Sequence, residues 1–118
     1  MKNKTFFDSV KCALRGYFAG IRTEKNFPIY FGLAAVFFVV NLLCGISFTE
    51  HIVYFGLVAG AFSAEFLNTA VEHLSNLISK EFDREIKLAK DIAAAGVLAW
   101  GLVFFGAEIA VVVRYFLS

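Results

Sequence analysis

Charge is scarce in this 118-residue chain: 18% of its residues are Asp, Glu, Lys or Arg, while 59% are hydrophobic. A soluble domain averages roughly 25% charged and about 45–50% apolar, so the polar side chains are too few to cover a surface in water. Proline occurs once, as Pro28, which leaves room for long uninterrupted helices. The two cysteines, Cys12 and Cys44, fall in different segments, too far apart to pair or to share a metal. Both read as packing residues. The chain has no Pro- or Ser-rich linker, no internal repeat and no low-complexity tract, and its length allows one domain, 1–118. It also lacks a Gly-x-x-x-x-Gly-Lys loop and any protein-kinase motif, so neither standard nucleotide site is present.

What the sequence has is long apolar runs. Phe27 to Phe48 carries no charge, Ile52 to Val71 is interrupted only by Glu65, and Ile92 to Val113 only by Glu108. Each reaches the ~20 residues that a helix needs to cross ~30 Å of hydrocarbon. The runs predict an all-α integral membrane protein with transmembrane helices over 27–48, 52–79 and 90–116. The first begins too late, and has the wrong flanks, for a cleaved signal peptide. Helices buried in a soluble bundle would show amphipathic patterning, which the first and third runs lack.

Net charge is +1, but the basic residues are unevenly placed. Lys2, Lys4, Lys11, Arg15, Arg22 and Lys25 precede the first span, and Lys80, Arg84, Lys87 and Lys90 separate the second from the third. The turn Thr49-Glu50-His51 has none, and Arg114 stands alone near the C-terminus. The positive-inside rule then puts the N-terminus and the 2–3 loop in the cytoplasm of a multi-pass protein. Residues 5–25 predict an amphipathic surface helix. At ~100° per residue, Phe6, Val10, Leu14, Tyr17 and Ile21 share one face, and Lys4, Asp8, Lys11, Arg15 and Arg22 the opposite one. One further turn puts Glu24 on the aromatic side, where a carboxylate is costly unless something binds it.

The second span is the informative one. Glu65, Asn68, Glu72, Asn76 and Ser79 fall within roughly 80° of helical arc, a polar stripe on an otherwise apolar helix. A carboxylate at that depth costs a few kcal/mol facing lipid, so the stripe must face protein, ligand or water. Counting ~1.5 Å per residue, Glu24, Glu72, Lys90 and Asp91 share the cytoplasmic level of the membrane, with Glu65 about 10 Å further in. Carboxylate oxygens suit Mg²⁺ bridging phosphates, a lysine offsets phosphate charge, and a buried carboxylate can take a proton from an alcohol. This inventory suits phosphoryl transfer at the level where a lipid hydroxyl meets the cytosol. A small transporter subunit using Glu65 as proton carrier is the reading from another class, but nothing polar continues outward along the stripe.

Glu65-Phe66-Leu67-Asn68-Thr69-Ala70-Val71-Glu72, followed by Ala89-Lys90-Asp91, resembles the bacterial diacylglycerol kinase/undecaprenol kinase family, whose members read E-[ILV]-[ILV]-N-[ST]-A-[IV]-E and then A-K-D. The resemblance covers nearly the whole chain. It implies a homotrimer in the bacterial inner membrane, with active sites composed between protomers, that transfers the γ-phosphate of Mg-ATP to a lipid hydroxyl. By position it implies Glu65 as catalytic base with Asn68 as its polar partner, and Glu24 and Glu72 as metal ligands. Lys90, Asp91, Glu81, Phe82, Asp83 and Cys12 would meet the nucleotide, and Glu65 and Ala94 the lipid. Thr23-Glu24-Lys25-Asn26-Phe27 and the run Ala89 to Ala95 look more like undecaprenol kinases of Gram-positive type; diacylglycerol kinase is the alternative. Cys12, Asn76 and Phe82-Asp83 depart from the usual aromatic, Asp and Tyr-His, which puts nucleotide contacts in question.

Six other residues stand out. His73 should pack off the stripe, and His51 should be solvated in the outer turn. Glu108 should lie near the outer interface, paired with Arg114. Trp100 falls mid-span, while Gly56 and Gly60 have the spacing of a close helix contact.

Overall fold

The computed structural model describes residues 5–118; Lys2 and Lys4 of the basic flank lie outside these. The chain forms four helices: α1 (Phe6–Thr23), α2 (Phe27–Cys44), α3 (Phe48–Ile78) and α4 (Arg84–Leu117). The last three are long and apolar enough to cross a membrane, and the first is the amphipathic helix that the sequence predicts.

Capping chemistry explains why the helices do not end where the apolar runs do. Helix α1 starts at Thr5, whose Oγ1 accepts the Asp8 N–H at 3.1 Å. Pro28 sits in the first turn of α2, where a missing N–H removes no helical hydrogen bond. That helix stops at Cys44, short of the expected 48, because Gly45 adopts φ 65°, ψ 40° and turns its N–H back to Asn41 and Leu42. Ser47 and Glu50 then cap each other's backbone N–H groups in a capping box, so α3 begins at Phe48, a turn before the expected 52. Asp83 accepts from the N–H groups of Glu85 and Ile86 at 2.9 and 3.1 Å, which starts α4 at Arg84, six residues before the expected 90. Hydropathy measures the membrane-embedded part of a helix, whereas capping groups set its ends.

Burial is inverted relative to a soluble protein. Among the described residues the buried hydrophobic side chains are Phe27, Tyr54 and Phe104, whereas Asn41, Glu65, Asn68, Thr69, Ser75 and Glu108 are buried polar or charged ones. Leu, Ile, Val and Phe side chains cover the outside. An apolar exterior around a polar interior is stable in hydrocarbon, where each polar group must find its partner inside.

Helices α3 and α4 pack along one another, α2 lies against α4, and α1 rests on the C-terminal half of α3. The notch at Gly60 accommodates Trp100: a Cβ there would stand 2.3 Å from the indole ring. This gives the mid-span tryptophan its role, while the space at Gly56 is open. At the end of the bundle that holds the α1–α2 junction, Phe27, 0% exposed, packs α2 on α3. Its ring centroid lies 4.8 Å from Phe66, 5.9 Å from Phe62 and 6.0 Å from Tyr30. Tyr17 of α1 adds a contact to Phe66 at 5.1 Å, at distances where offset and edge-on rings attract.

Two expectations fail at the outer end. Glu108 does not pair with Arg114; it is buried and accepts from Asn41 Nδ2 of α2 at 3.0 Å. Arg114 instead pairs with Glu50 at 2.6 Å, because Ser47 brings the start of α3 beside the end of α4. His51 is not in a solvated turn either. It lies in the first turn of α3, half-buried with its ring edge-on to Phe38 at 6.0 Å.

Candidate active site

The polar stripe of α3 lies in the half of the helix that follows Ala64. Glu65 and Asn68 are 5% and 8% exposed, so its most deeply placed groups are shielded from lipid as their cost demands, while Glu72 is half-buried and Asn76 exposed. Spacings of three and four residues stack Glu65, Asn68 and Glu72 along one helix face, and Asn68 Nδ2 donates to Glu72 Oε1 at 3.2 Å. Asn68 thus holds the second of the two acids, and its own Oδ1 is buried with no partner among the described residues.

Glu24 reaches this face from the α1–α2 junction. Its N–H closes α1 onto the Gly20 carbonyl at 3.0 Å. One carboxylate oxygen accepts the Asn26 N–H at 3.2 Å, and the other accepts from Thr69 Oγ1 at 3.5 Å. Thr69 lies beside Asn68 on α3 and is buried. The packing that makes this possible is the aromatic cluster, with Gly20 leaving space for the Phe66 ring. Glu65, one residue before Phe66, lies near both Glu24 and Glu72 and shares a cavity wall with Tyr30.

Three carboxylates therefore gather with no cation among them. The ion pairs of the described residues are Lys87–Asp91 and Arg114–Glu50, and both lie elsewhere. Nor do the described residues contain a group of three His, Cys, Asp or Glu that could hold a metal alone. Glu24 and Glu72 each turn carboxylate oxygens to residues of this face, Thr69 and Asn68.

The other expected site residues divide. Lys90 is brought to the stripe, its Nζ donating to Asn76 Oδ1 at 3.0 Å one turn below Glu72. Asp91 is not: it is exposed and paired with Lys87 at 2.6 Å on another face of α4. Glu81 and Phe82 are exposed in the α3–α4 loop, and Ala94 is exposed on α4. Asp83, next to them, serves as the α4 cap. Cys12 is exposed on α1, where Arg15 Nη2 donates to its Sγ at 3.2 Å. Sequence reasoning missed Thr69 and Tyr30. Thr69 sits inside the E-x-x-N-T-x-x-E motif, so its neighbours could have marked it. Tyr30 has no marker, since it looks like one more aromatic in an apolar run.

A cavity of about 120 Å³ lies beside Glu65. Its walls include Tyr30, Ala34 and Phe62 from α2 and α3, and Val97 and Phe104 from α4, and Glu65 is the one acidic group lining it. A carboxylate thus stands at the edge of an apolar cavity, with Glu72 and Lys90 further along the stripe.

Residues 11–114 match the family described as prokaryotic diacylglycerol kinase. An undecaprenol kinase of Bacillus subtilis (strain 168) is 37% identical over 98 residues, covering 83% of this chain and 80% of that protein. No solved structure is significantly similar to the chain.

Proposed function

The chain belongs to the prokaryotic diacylglycerol kinase family, and we propose that the lipid alcohol it phosphorylates is undecaprenol. The chain is a multi-pass membrane lipid kinase that draws on ATP; a non-enzymatic transporter subunit is thereby set aside. The observation that carries the mechanism is Glu65, buried at the edge of an apolar cavity on the helix face that carries Asn68 and Glu72. In this reading the hydroxyl oxygen of the lipid attacks the γ-phosphorus, the bond from that phosphorus to the β,γ-bridging oxygen breaks, and Glu65 takes the hydroxyl proton. Asn68 holds Glu72 through its amide, and Glu24 and Glu72 would hold Mg²⁺, which when bound would offset charge on the phosphates. Lys90 would meet the same phosphates from α4. By their positions in the family motif, Asp91, Glu81, Phe82, Asp83 and Cys12 would contact the nucleotide, and Ala94 the lipid.

Undecaprenol is favoured over diacylglycerol by the 37% identity to a protein of that activity and by the Thr23–Phe27 and Ala89–Ala95 segments. Transfer of ³²P from ATP to a vesicle panel of undecaprenol, diacylglycerol and ceramide tests it. The expected result is a turnover on undecaprenol at least tenfold above that on diacylglycerol. The reverse preference would make the chain a diacylglycerol kinase.

The same reading includes an N-terminus and α3–α4 loop on the cytoplasmic side, and a homotrimer with composite sites. Asp91 is paired with Lys87 on another face of α4, and Glu81 and Phe82 are exposed in the α3–α4 loop, so a neighbouring protomer's stripe is where they would act. Mixing inactive Glu65→Gln and Lys90→Ala chains, with subunit exchange verified, is expected to restore part of the activity. Verified hetero-oligomers that remain dead would mean that each chain builds its own site.

A further inference from the structure

Helix α2 carries no Asp, Glu, Lys, Arg or His, so its amide side chain, Asn41, is a main means of holding it by polar contact. Asn41 is 1% exposed and Glu108 of α4 is 4% exposed. They meet through one hydrogen bond, Asn41 Nδ2 to Glu108 Oε1 at 3.0 Å. The other atom of each group is left over. Asn41 Oδ1 and Glu108 Oε2 are both fully covered, and neither has a partner among the described residues.

The two leftover atoms are alike in what they need. An amide oxygen and an ionised carboxylate oxygen only accept, so two acceptors stand on bonded groups with no hydrogen between them. Turning the amide over does not help, because Oδ1 would then face Oε1 and one pair of acceptors would replace another. A neighbouring cation or hydroxyl would settle the account, but each one nearby is engaged. Helix α2 offers no charge; α3 offers Glu50, His51 and Tyr54; and α4 offers Arg114, six residues or about 9 Å further along. Arg114 is bound to Glu50 at 2.6 Å, His51 packs edge-on to Phe38, and the Tyr54 hydroxyl donates to the Ala34 carbonyl. Asn41 and Glu108 border a cavity of about 310 Å³, yet water there does not reach the two covered oxygens. A bare carboxylate in that position, within an apolar span, is costly.

We infer that Glu108 is a proton-holding site: it keeps a hydrogen on Oε2 and donates it to Asn41 Oδ1. The two side chains then close an amide–acid ring with a hydrogen bond on each side. Every buried polar atom of the pair is satisfied, no charge is buried, and α2 is pinned to α4 at the end of the bundle away from Phe27. The inference rests neither on the lipid substrate nor on Glu65 being the base.

The test uses the full chain in detergent micelles. Glu108→Gln puts an N–H where the acid has its hydrogen and keeps an oxygen to accept from Asn41 Nδ2, so the ring closes with nothing to ionise. Its Tm should be no more than about 2 °C below that of the unaltered chain. Glu108→Ala and Asn41→Ala should each lower Tm by roughly 5 °C, and the double variant should lose no more than either alone. Infrared difference spectra of the unaltered chain against Glu108→Gln read the hydrogen directly: the carbonyl band of a protonated carboxylic acid should vanish in the variant. Should an alanine variant fail to fold, Glu108→Gln and this band still decide. Loss of a carboxylate band instead would overturn the inference, since Glu108 would then be ionised. A Glu108→Gln chain as unstable as Glu108→Ala would overturn it too, and equal Tm in all variants would remove the pin.

Discussion

Glu65→Gln chains should phosphorylate lipid more than ~100-fold more slowly than the unaltered protein at saturating ATP, with KM for ATP little changed, as for loss of a group that acts in the transition state. The substitution is nearly isosteric, so the packing around Phe27 and Phe66 is kept. What is lost is the ability to take the hydroxyl proton. Steady-state kinetics with ATP and lipid varied separately read the effect. A defect confined to ATP KM would move Glu65 from proton acceptor to nucleotide contact. The size of the effect follows from isolation: Glu65 is the one acid lining the apolar cavity, so no neighbour with the same reach can substitute.

The second large effect is expected at the metal level. Glu72→Gln and Glu24→Gln should each reduce Mg-ATP-dependent transfer to background. Each removes one of the two carboxylates that could present oxygens to the ion, and the described residues hold no third acid in a position to complete a cage. The loss should come with a weakened Mg²⁺ dependence, read as activity against free Mg²⁺ at fixed ATP. It should come without unfolding, because relief of repulsion among Glu24, Glu65 and Glu72 offsets the lost Asn68 and Thr69 hydrogen bonds. Normal turnover with normal Mg²⁺ dependence in both variants would remove these residues from the metal. A folding defect is distinguishable, since it would lower activity at every Mg²⁺ concentration alike.

The placement of part of the candidate site was legible before any coordinates. The α3 stripe could be read because a polar residue in an apolar helix has one acceptable direction, and the spacing of Glu65, Asn68 and Glu72 fixes which. Three spans could be read from hydropathy alone. Helix ends could not, because Gly45, Ser47 and Asp83 act through hydrogen bonds that composition does not register. Glu108 was misassigned for a related reason. Distance along α4 correctly separated it from Lys90, but its partner Asn41 lies 67 positions away in sequence, beyond any periodicity argument. Tyr30 was hidden among fifteen phenylalanines and three other tyrosines, since nothing local distinguishes an aromatic that lines the cavity beside Glu65 from one that faces elsewhere. Asp91 illustrates the opposite limit. Its motif neighbour Lys90 faces the stripe, and a helical step of about 100° turns Asp91 away.

Helix α3 has 31 residues, a rod of about 46 Å at 1.5 Å per residue, against a hydrocarbon slab of ~30 Å. It therefore carries its stripe out of the oil and into the aqueous boundary without a joint. The two substrates live in different solvents, one unable to leave the bilayer and the other unable to enter it. Here the vertical offset between their meeting points is set by the pitch of a single rigid element rather than by the closing of a lid. The helix works as a gauge rod standing across the phase boundary, and the bilayer's own thickness becomes a parameter of the reaction.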